Sequence, residues 1–324
     1  MSKKISVVIV TYNSKSFIDE CLKPIVGSIG PDLEVIVWDN ESPDGSLGYV
    51  RENYPSVLAF GENGNRGFAA GNNAAFRHCT GDYVLLLNPD AFLENAGQIA
   101  EMAAVLDRRA DVCAVSPMLL NADGSHQVGD CGWRHSIANT IGHFLFLHHL
   151  FPDIRGIYLT NAKLFSRPSV EVDWLCGACM MVRKSTIDTV GGLDEEIFMY
   201  GEDVEWGERM RAAGAKLLYL PGIRVTHLQG ATQKGEKGSY FISTKWLDAL
   251  SDQIGRTQSG WQFTLFKGIA FAGMALRFLI YSTLDLVRGR KISARAKAMK
   301  AYACHALKLR RGQAVEFPGV RNRQ

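Results

Sequence analysis

Three apolar runs in the first third of the chain each end in a polar cluster. The run 5–10 (ISVVIV) leads to Thr11-Tyr12-Asn13, 34–38 (EVIVW) to Asp39-Asn40-Glu41-Ser42, and 83–87 (YVLLL) to Asn88-Pro89-Asp90. In an open α/β sheet, ligands sit at the carboxyl ends of the strands, so three such clusters could meet in one crevice. Taken singly, each also suits a helix cap or a turn. Asp90 carries the sharpest chemistry. A carboxylate fixed by Pro89 after a fully apolar strand is a hard oxygen ligand, and Mg²⁺ or Mn²⁺ takes one or two such carboxylates together with substrate phosphates. Further on, Gly201-Glu202-Asp203-Val204-Glu205 opens a helical stretch. Its carboxylates suit the positive end of the helix dipole, and Glu205 and Arg209 form an i,i+4 pair. Cys176-Gly177-Ala178-Cys179 has redox-motif spacing, but it has no second pair and would leave a zinc ion two ligands short. It reads as small-residue packing. His143, His148 and His149 lie among Phe and Leu and read as packing or interfacial.

The elements that must position these residues alternate. Strand signals at 5–10, 34–38, 57–60, 83–87 and 112–115 are separated by helical stretches ending near 26 and spanning 68–79 and 95–108. That order implies an α/β chain with a mostly parallel, Rossmann-like sheet covered by helices. The segment 123–167 mixes Gly, His, Asn and Pro with apolar residues and predicts loops and short helices. Order returns with a strand at 179–183, a helix over 203–213 with Gly214 as its C-cap, and a strand at 217–220 ended by Pro221-Gly222.

With 324 residues, 47% of them apolar and 21% charged, the chain is globular, not disordered. Met1-Ser2-Lys3-Lys4 runs straight into a strand, so no cleaved secretory signal is expected. Seven scattered cysteines read as reduced thiols of a cytosolic compartment. The net charge of +3 divides into +11 from Gly260 onward and −8 before it. An acidic body with a basic tail seeks an anionic surface; no nucleic-acid partner is expected. Within the tail, 268–287 is largely apolar but carries Arg277 and Asp285, which makes it a poor spanning helix. Arg288, Arg290, Lys291, Arg295, Lys297, Lys300, Lys308, Arg310 and Arg311 follow. An apolar helix beside a basic stretch is the pattern of a helix lying in a membrane interface. A core-packed terminal helix with a solvated basic end is the plainer reading.

The motifs occur in an ordered set: VVIVTYNS, Asp39-Asn40-x-Ser42, Asn65-Arg66-Gly67-Phe68-Ala69-x-Gly71-Asn72-Asn73, LLLNPDA, Trp174-x-x-Gly177-Ala178, Gly192-Leu193-Asp194-Glu195 and Gly201-Glu202-Asp203-Val204-Glu205. Over about residues 2–230 the chain resembles inverting glycosyltransferase family 2, and closely its rhamnosyltransferase-like branch. The resemblance implies a GT-A fold, a nucleotide-sugar donor and a divalent cation. The domains it implies are a catalytic domain over 1–235, with a nucleotide half to about 120 and an acceptor half over 121–235, then a helical extension over 236–324. By the same resemblance Thr11, Tyr12, Asn13, Asp39 and Asn40 contact the nucleotide, Asp39 accepting from a pyrimidine base. Arg66 and Asn72 line the donor site. Asn88 stands where many members carry the first Asp of Asp-x-Asp, which leaves Asp90 as the main metal ligand, with His227 completing the set. Trp174, Gly177 and Ala178 lie near sugar and acceptor. Asp203 matches the catalytic base, with Glu202 orienting acceptor or backbone.

The chemistry so implied is a single displacement. Asp203 takes the acceptor hydroxyl proton while the sugar carbon inverts through an oxocarbenium-like state. dTDP-L-rhamnose is the expected donor, with a UDP-hexose as the alternative. The expected acceptor is a lipid-linked or cell-surface glycan on a polyprenyl diphosphate, reached from the cytoplasmic side at the inner face of the cell membrane. A processive synthase would carry Gln-x-x-Arg-Trp and several spans. A nucleotidyltransferase would carry a Gly-rich loop after the first strand. A silent binding module has only Asn88 in its favour, against Asp90, Asp203 and His227. Oligomeric state stays open.

Overall fold

A computed structural model describes residues 3–61, 64–151, 153–228, 244–289 and 291–312. Arg290 and the domain boundary expected at 235 lie outside the described residues. In chain order the elements are β1 (Ile5–Thr11), α1 (Ile18–Val26), β2 (Leu33–Asp39), α2 (Ser46–Asn53), β3 (Leu58–Gly61), α3 (Gly67–Phe76), β4 (Tyr83–Leu87), β5 (Ala91–Phe92), α4 (Gly97–Arg108), β6 (Val112–Leu120), β7 (Cys131–Gly132), α5 (Ile137–Phe144), α6 (Leu147–Leu150), β8 (Val170–Val172), β9 (Trp174–Leu175), β10 (Cys179–Arg183), α7 (Lys184–Val190), α8 (Glu202–Ala212), β11 (Lys216–His227), α9 (Lys245–Thr257), α10 (Gly260–Val287) and α11 (Ala294–Lys308). They fall into two compact units, residues 1–131 with 162–234, and residues 132–161 with 235–324. The segment 132–161 thus clusters with the C-terminal helices, whereas the sequence reading places it in the acceptor half. Its own apolar residues explain this: Phe144 and Ile157 are buried among Leu247, Phe266 and Ala306.

The first unit is built on a nine-stranded sheet in the order β3-β2-β1-β4-β10-β6-β11-β5, with β8 added against β11. Strands β1 to β4, β6 and β11 run parallel, while β10, β5 and β8 run antiparallel. The β-branched runs of β1 and β2 and the leucines of β4 are buried on both faces, as covered parallel strands must be. The expected end of the last strand at Pro221-Gly222 is corrected. β11 shifts register between Leu220 and Arg224 and continues to His227. A proline cannot donate to the ladder, and a bulge absorbs it. All seven cysteines are free thiols; Cys176 is half-buried and Cys179 buried.

The second unit packs α5, α6 and α9 to α11 around a separate apolar cluster. In α10 the buried residues Phe263, Phe266, Ala270, Gly273, Met274 and Arg277 recur every three or four positions, one stripe of the helix.

Candidate active site

The carboxyl ends of β1, β2 and β4 lie on one edge of the sheet, because these strands pair in parallel without a register break. Antiparallel β10 starts at the same edge, with Cys179 opposite Leu87, and β11 ends there, with His227 opposite Ala91. Thus the segments 11–13, 39–42, 88–90 and 176–178 and His227 share one edge.

At its first corner the Asp39 carboxylate accepts from Thr11 Oγ1 at 2.7 Å, Ser42 Oγ at 2.5 Å and Ser42 N at 2.8 Å. Oδ2 is thereby saturated and Oδ1 keeps one lone pair. Ser42, quoted in the motif but assigned no role, is the residue that anchors this carboxylate. It also accepts from Asn13 N, and Asn13 is held at a positive φ of 54°. Tyr12 is exposed. The Asn40 amide donates to Gly67 O at 3.0 Å, which ties the loop before α3 to the end of β2.

Two expected donor-site residues are otherwise engaged. Asn72 is buried and its amide donates to Phe68 O within its own helix. Arg66 pairs with Glu195 at 2.7 Å. Next to it, Asn73 brackets Leu193, donating to its carbonyl and accepting from its N–H. The Gly192-Leu193-Asp194-Glu195 motif is therefore a clasp onto α3.

At the second corner Asp90 (4% exposed) and His227 (7%) are both buried. His227 Nε2 lies 3.4 Å from Asp90 Oδ1 and 3.4 Å from the Asn88 amide nitrogen. Among the described residues no three His, Cys, Asp or Glu side chains cluster to hold a metal ion. The donor set nevertheless fits a Mg²⁺ or Mn²⁺ site of the substrate-completed kind. One carboxylate oxygen and one imidazole nitrogen converge, and phosphate oxygens and water supply the remaining positions. His227 Nδ1 lies 2.7 Å from Gln127 Oε1. Nothing in the sequence marks Gln127, a lone amide in a stretch read as irregular.

At the third corner α8 opens after two residues at positive φ, Tyr200 (70°) and Gly201 (101°). Asp203 accepts from Gly177 N at 3.2 Å and from Val204 N at 2.8 Å. Glu202 is 6% exposed, and its Oε2 has no hydrogen-bond partner among the described residues. Burial, and after it the neighbouring Asp203 charge, pushes the Glu202 carboxyl up to about 8. Burial raises Asp203 as well, opposed by its two N–H donors. Both carboxyls are raised, and the N–H donors on Asp203, which Glu202 Oε2 lacks among the described residues, favour the charge on Asp203.

The loop 176–178 joins the corners. Gly177 N reaches Asp203, Ala178 O accepts from Asn88 N, and Cys176 N donates to Asp130 O. A Cβ at 177 would sit 3.1 Å from the edge of the Phe68 ring, a tight contact. Trp174 is 3% exposed and lies against Gly207 of α8. It is packed as a core tryptophan.

The comparisons with known proteins bear on family and fold. The family model Glycosyl transferase family 2 matches residues 6–170. The chain is 25% identical over 307 residues to the N-acetylglucosaminyl-diphospho-decaprenol L-rhamnosyltransferase of Mycobacterium tuberculosis (strain ATCC 25618 / H37Rv), covering 90% of this chain and 98% of that one. It is 26% identical over 230 residues to the rhamnosyltransferase WbbL of Escherichia coli (strain K12), covering 68% and 82%. Among solved structures it resembles the Pyrobaculum calidifontis mannosyltransferase PcManGT in complex with GDP-Man and Mn²⁺. That match has a TM-score of 0.58 and 18% identity, over 95% of this chain and 87% of that one. It also resembles S. aureus TarS 1-349 in complex with UDP-GlcNAc, with a TM-score of 0.52 and 17% identity, over 94% and 79%. These structures share its GT-A fold. The chain belongs to glycosyltransferase family 2 and is a glycosyltransferase.

Proposed function

We propose that the enzyme transfers L-rhamnose from dTDP-rhamnose to a polyprenyl-diphosphate-linked glycan by an inverting single displacement. The observation that carries the reading is the split between Asp203 and Glu202. One buried carboxylate accepts two backbone N–H donors that favour its ionised form, while its neighbour has an oxygen with no partner among the described residues and is pushed up by burial. A base for an acceptor hydroxyl must be ionised and close to a protected site. Asp203 takes that proton as the hydroxyl oxygen attacks the anomeric carbon and the bond to the diphosphate breaks. Glu202, protonated, supplies a hydrogen-bond donor beside it without adding a second charge. Thr11, Tyr12, Asn13, Asp39 and Asn40 form the nucleotide corner, and Asp90 with His227 would hold the divalent cation. When bound, the cation neutralises the charge developing on the leaving diphosphate. The rhamnosyl donor and the lipid-linked acceptor are inferred from the activities printed for the two bacterial relatives.

The cytoplasmic face of a membrane is the proposed workplace. α10 is long and apolar enough to span a bilayer, with a mean hydropathy of 1.6 over its best 18-residue window, yet 39% of that window is buried within the protein. It serves as an interfacial helix.

The test is nucleoside diphosphate release with Mg²⁺ or Mn²⁺ across dTDP-rhamnose, UDP-galactose and UDP-glucose, with and without a lipid-linked acceptor. Release from dTDP-rhamnose alone, lost in Asp203→Asn and Asp90→Ala, is expected. Release from a UDP-hexose instead overturns the donor. Silence with every donor and acceptor leaves a binding module.

A further inference from the structure

We propose that Gln127 is a positioning residue that holds His227 as its Nδ1–H tautomer, so that the Nε2 lone pair is presented beside Asp90. The use of that lone pair for a divalent cation rests on the reading of Asp90 and His227 given above; the tautomer itself does not.

The argument is a closed chain of donors and acceptors. A neutral imidazole carries one N–H and one lone pair, and the partner of one nitrogen decides the state of the other. Gln127 sits opposite Nδ1, so everything depends on which end of its amide faces the ring. Two backbone carbonyls answer this, since a carbonyl only accepts. The Gln127 amide nitrogen lies 3.0 Å from His227 O, so that end must be the NH₂. The same nitrogen lies 3.1 Å from Asn121 Oδ1. Asn121 is oriented in turn, because its own amide nitrogen lies 3.3 Å from His126 O. Gln127 Oε1 is therefore the atom 2.7 Å from His227 Nδ1, and Nδ1 must donate to it. Nε2 is left with its lone pair toward the Asn88 amide and Asp90, each at 3.4 Å.

The chain is mechanically supported. Gln127 is buried, and its N–H donates to Leu119 O at the end of β6. The excursion from 119 to 130 is pinned at its far end by Asp130, which is fully buried. Asp130 accepts from Tyr219 Oη at 2.7 Å and from Leu119 N at 3.2 Å, and it faces His126 Nε2 at 3.1 Å. A ligating histidine whose other nitrogen is fixed in this way gains both orientation and basicity. Loss of such a partner typically costs about 10- to 100-fold in metal affinity.

The experiment labels the full chain with ¹⁵N-histidine and reads long-range ¹H–¹⁵N couplings of the imidazoles at pH 8.5. His227 is assigned by its disappearance in His227→Ala. A protonated Nδ1 and an unprotonated Nε2 are expected in the wild type. Gln127→Leu is expected to release the tautomer toward Nε2–H, and Gln127→Glu, which keeps an acceptor, to retain it. Mn²⁺ alone is then titrated by electron paramagnetic resonance, and Gln127→Leu is expected to bind it about 10- to 100-fold more weakly than the wild type. An Nε2–H signal in the wild type overturns the proposal without any variant, as does an unchanged tautomer in a folded Gln127→Leu. If the tautomer behaves as expected but neither the wild type nor Asp90→Ala distinguishes Mn²⁺ from background, the positioning role stands and the metal reading fails.

Discussion

Asp203 accepts two backbone N–H bonds while Glu202 keeps a buried oxygen with no partner among the described residues, and that difference favours the charge on Asp203. Asp203→Asn removes the base and keeps an amide oxygen for only one of the two N–H donors, since Gly177 N and Val204 N reach different carboxylate oxygens. Turnover is expected to fall by about 10²- to 10⁴-fold with donor affinity retained, as read by steady-state kinetics and nucleotide titration. Glu202→Gln replaces a protonated acid with a neutral isostere. Near neutral pH it is expected to keep most of its activity, and a loss as deep as that of Asp203→Asn would reverse the assignment of roles. Because burial raises Asp203, kcat/KM should climb with pH as that group loses its proton. The Glu202 proton also has a thermodynamic signature. The folded chain holds it up to about pH 8, whereas the unfolded chain releases it near 4.5. Across that window the folded state binds more protons, so its stability falls as pH rises. Glu202→Gln escapes the penalty. Its melting temperature should therefore gain on the wild type steadily from pH 5 to pH 8, and a flat difference would mean that Glu202 is already ionised.

At the level of elements, the segment before α3 is built around a glycine that has no substitute. Gly67 sits at a φ of +89°, and a Cβ there would run into the Phe198 carbonyl and ring, while Phe68 N donates to the same Phe198 oxygen. Gly67→Ala combines a left-handed conformation with a backbone clash. It is expected to cost about 1–3 kcal/mol, measured as a drop in denaturant midpoint with an unchanged slope; an unchanged midpoint would show that the two segments do not depend on each other. Gly67 also shows what the sequence makes legible. Short-range signals are plain in it: β-branched runs for β1 and β2, polar triplets at their ends, acids in the first turn of α8. Long-range pairing is not. Pro221-Gly222 is a stop signal taken alone, yet neighbouring β6 accepts the bulge and pairs with β11 as far as Thr226, and β5 takes His227. Asn72 and Trp174 have the residue types of a sugar site, yet both are buried in the fold, Asn72 with its amide on Phe68 O. Gln127 has no local signal at all, because its role exists only once a hairpin brings it to a residue 100 positions later.

For the molecule as a whole, the question is what covers the outer side of α10. Its buried stripe ends at Arg277, whose guanidinium donates to the carbonyls of His143, Phe144 and Gly273 and stacks on the Phe146 ring at 3.8 Å. The arginine that counted against a membrane helix in the sequence is thus spent inside the second unit, on carbonyls at the end of α5, and is not presented outward. What is presented is apolar: Trp261, Leu279, Leu284, Leu286 and Val287, the last 81% exposed. Exposed Lys291, Arg295, Lys297 and Lys300 follow directly in the chain, and the Arg295 guanidinium lies 4.2 Å from the Tyr281 ring of α10. Apolar side chains next to lysines and arginines suit the acyl boundary and the anionic headgroups of one leaflet. The full chain is therefore expected to sediment with vesicles containing anionic lipid. Binding should weaken as salt rises, because the basic contribution is screened over about 8–10 Å at physiological ionic strength. Leu279→Glu with Leu286→Glu should abolish sedimentation while leaving the melting temperature unchanged, since both side chains are already in solvent. Lys297→Glu with Lys300→Glu should remove only the salt-dependent part. Sedimentation that survives both pairs, or a chain that associates with itself instead of with vesicles, would assign this face to a protein contact.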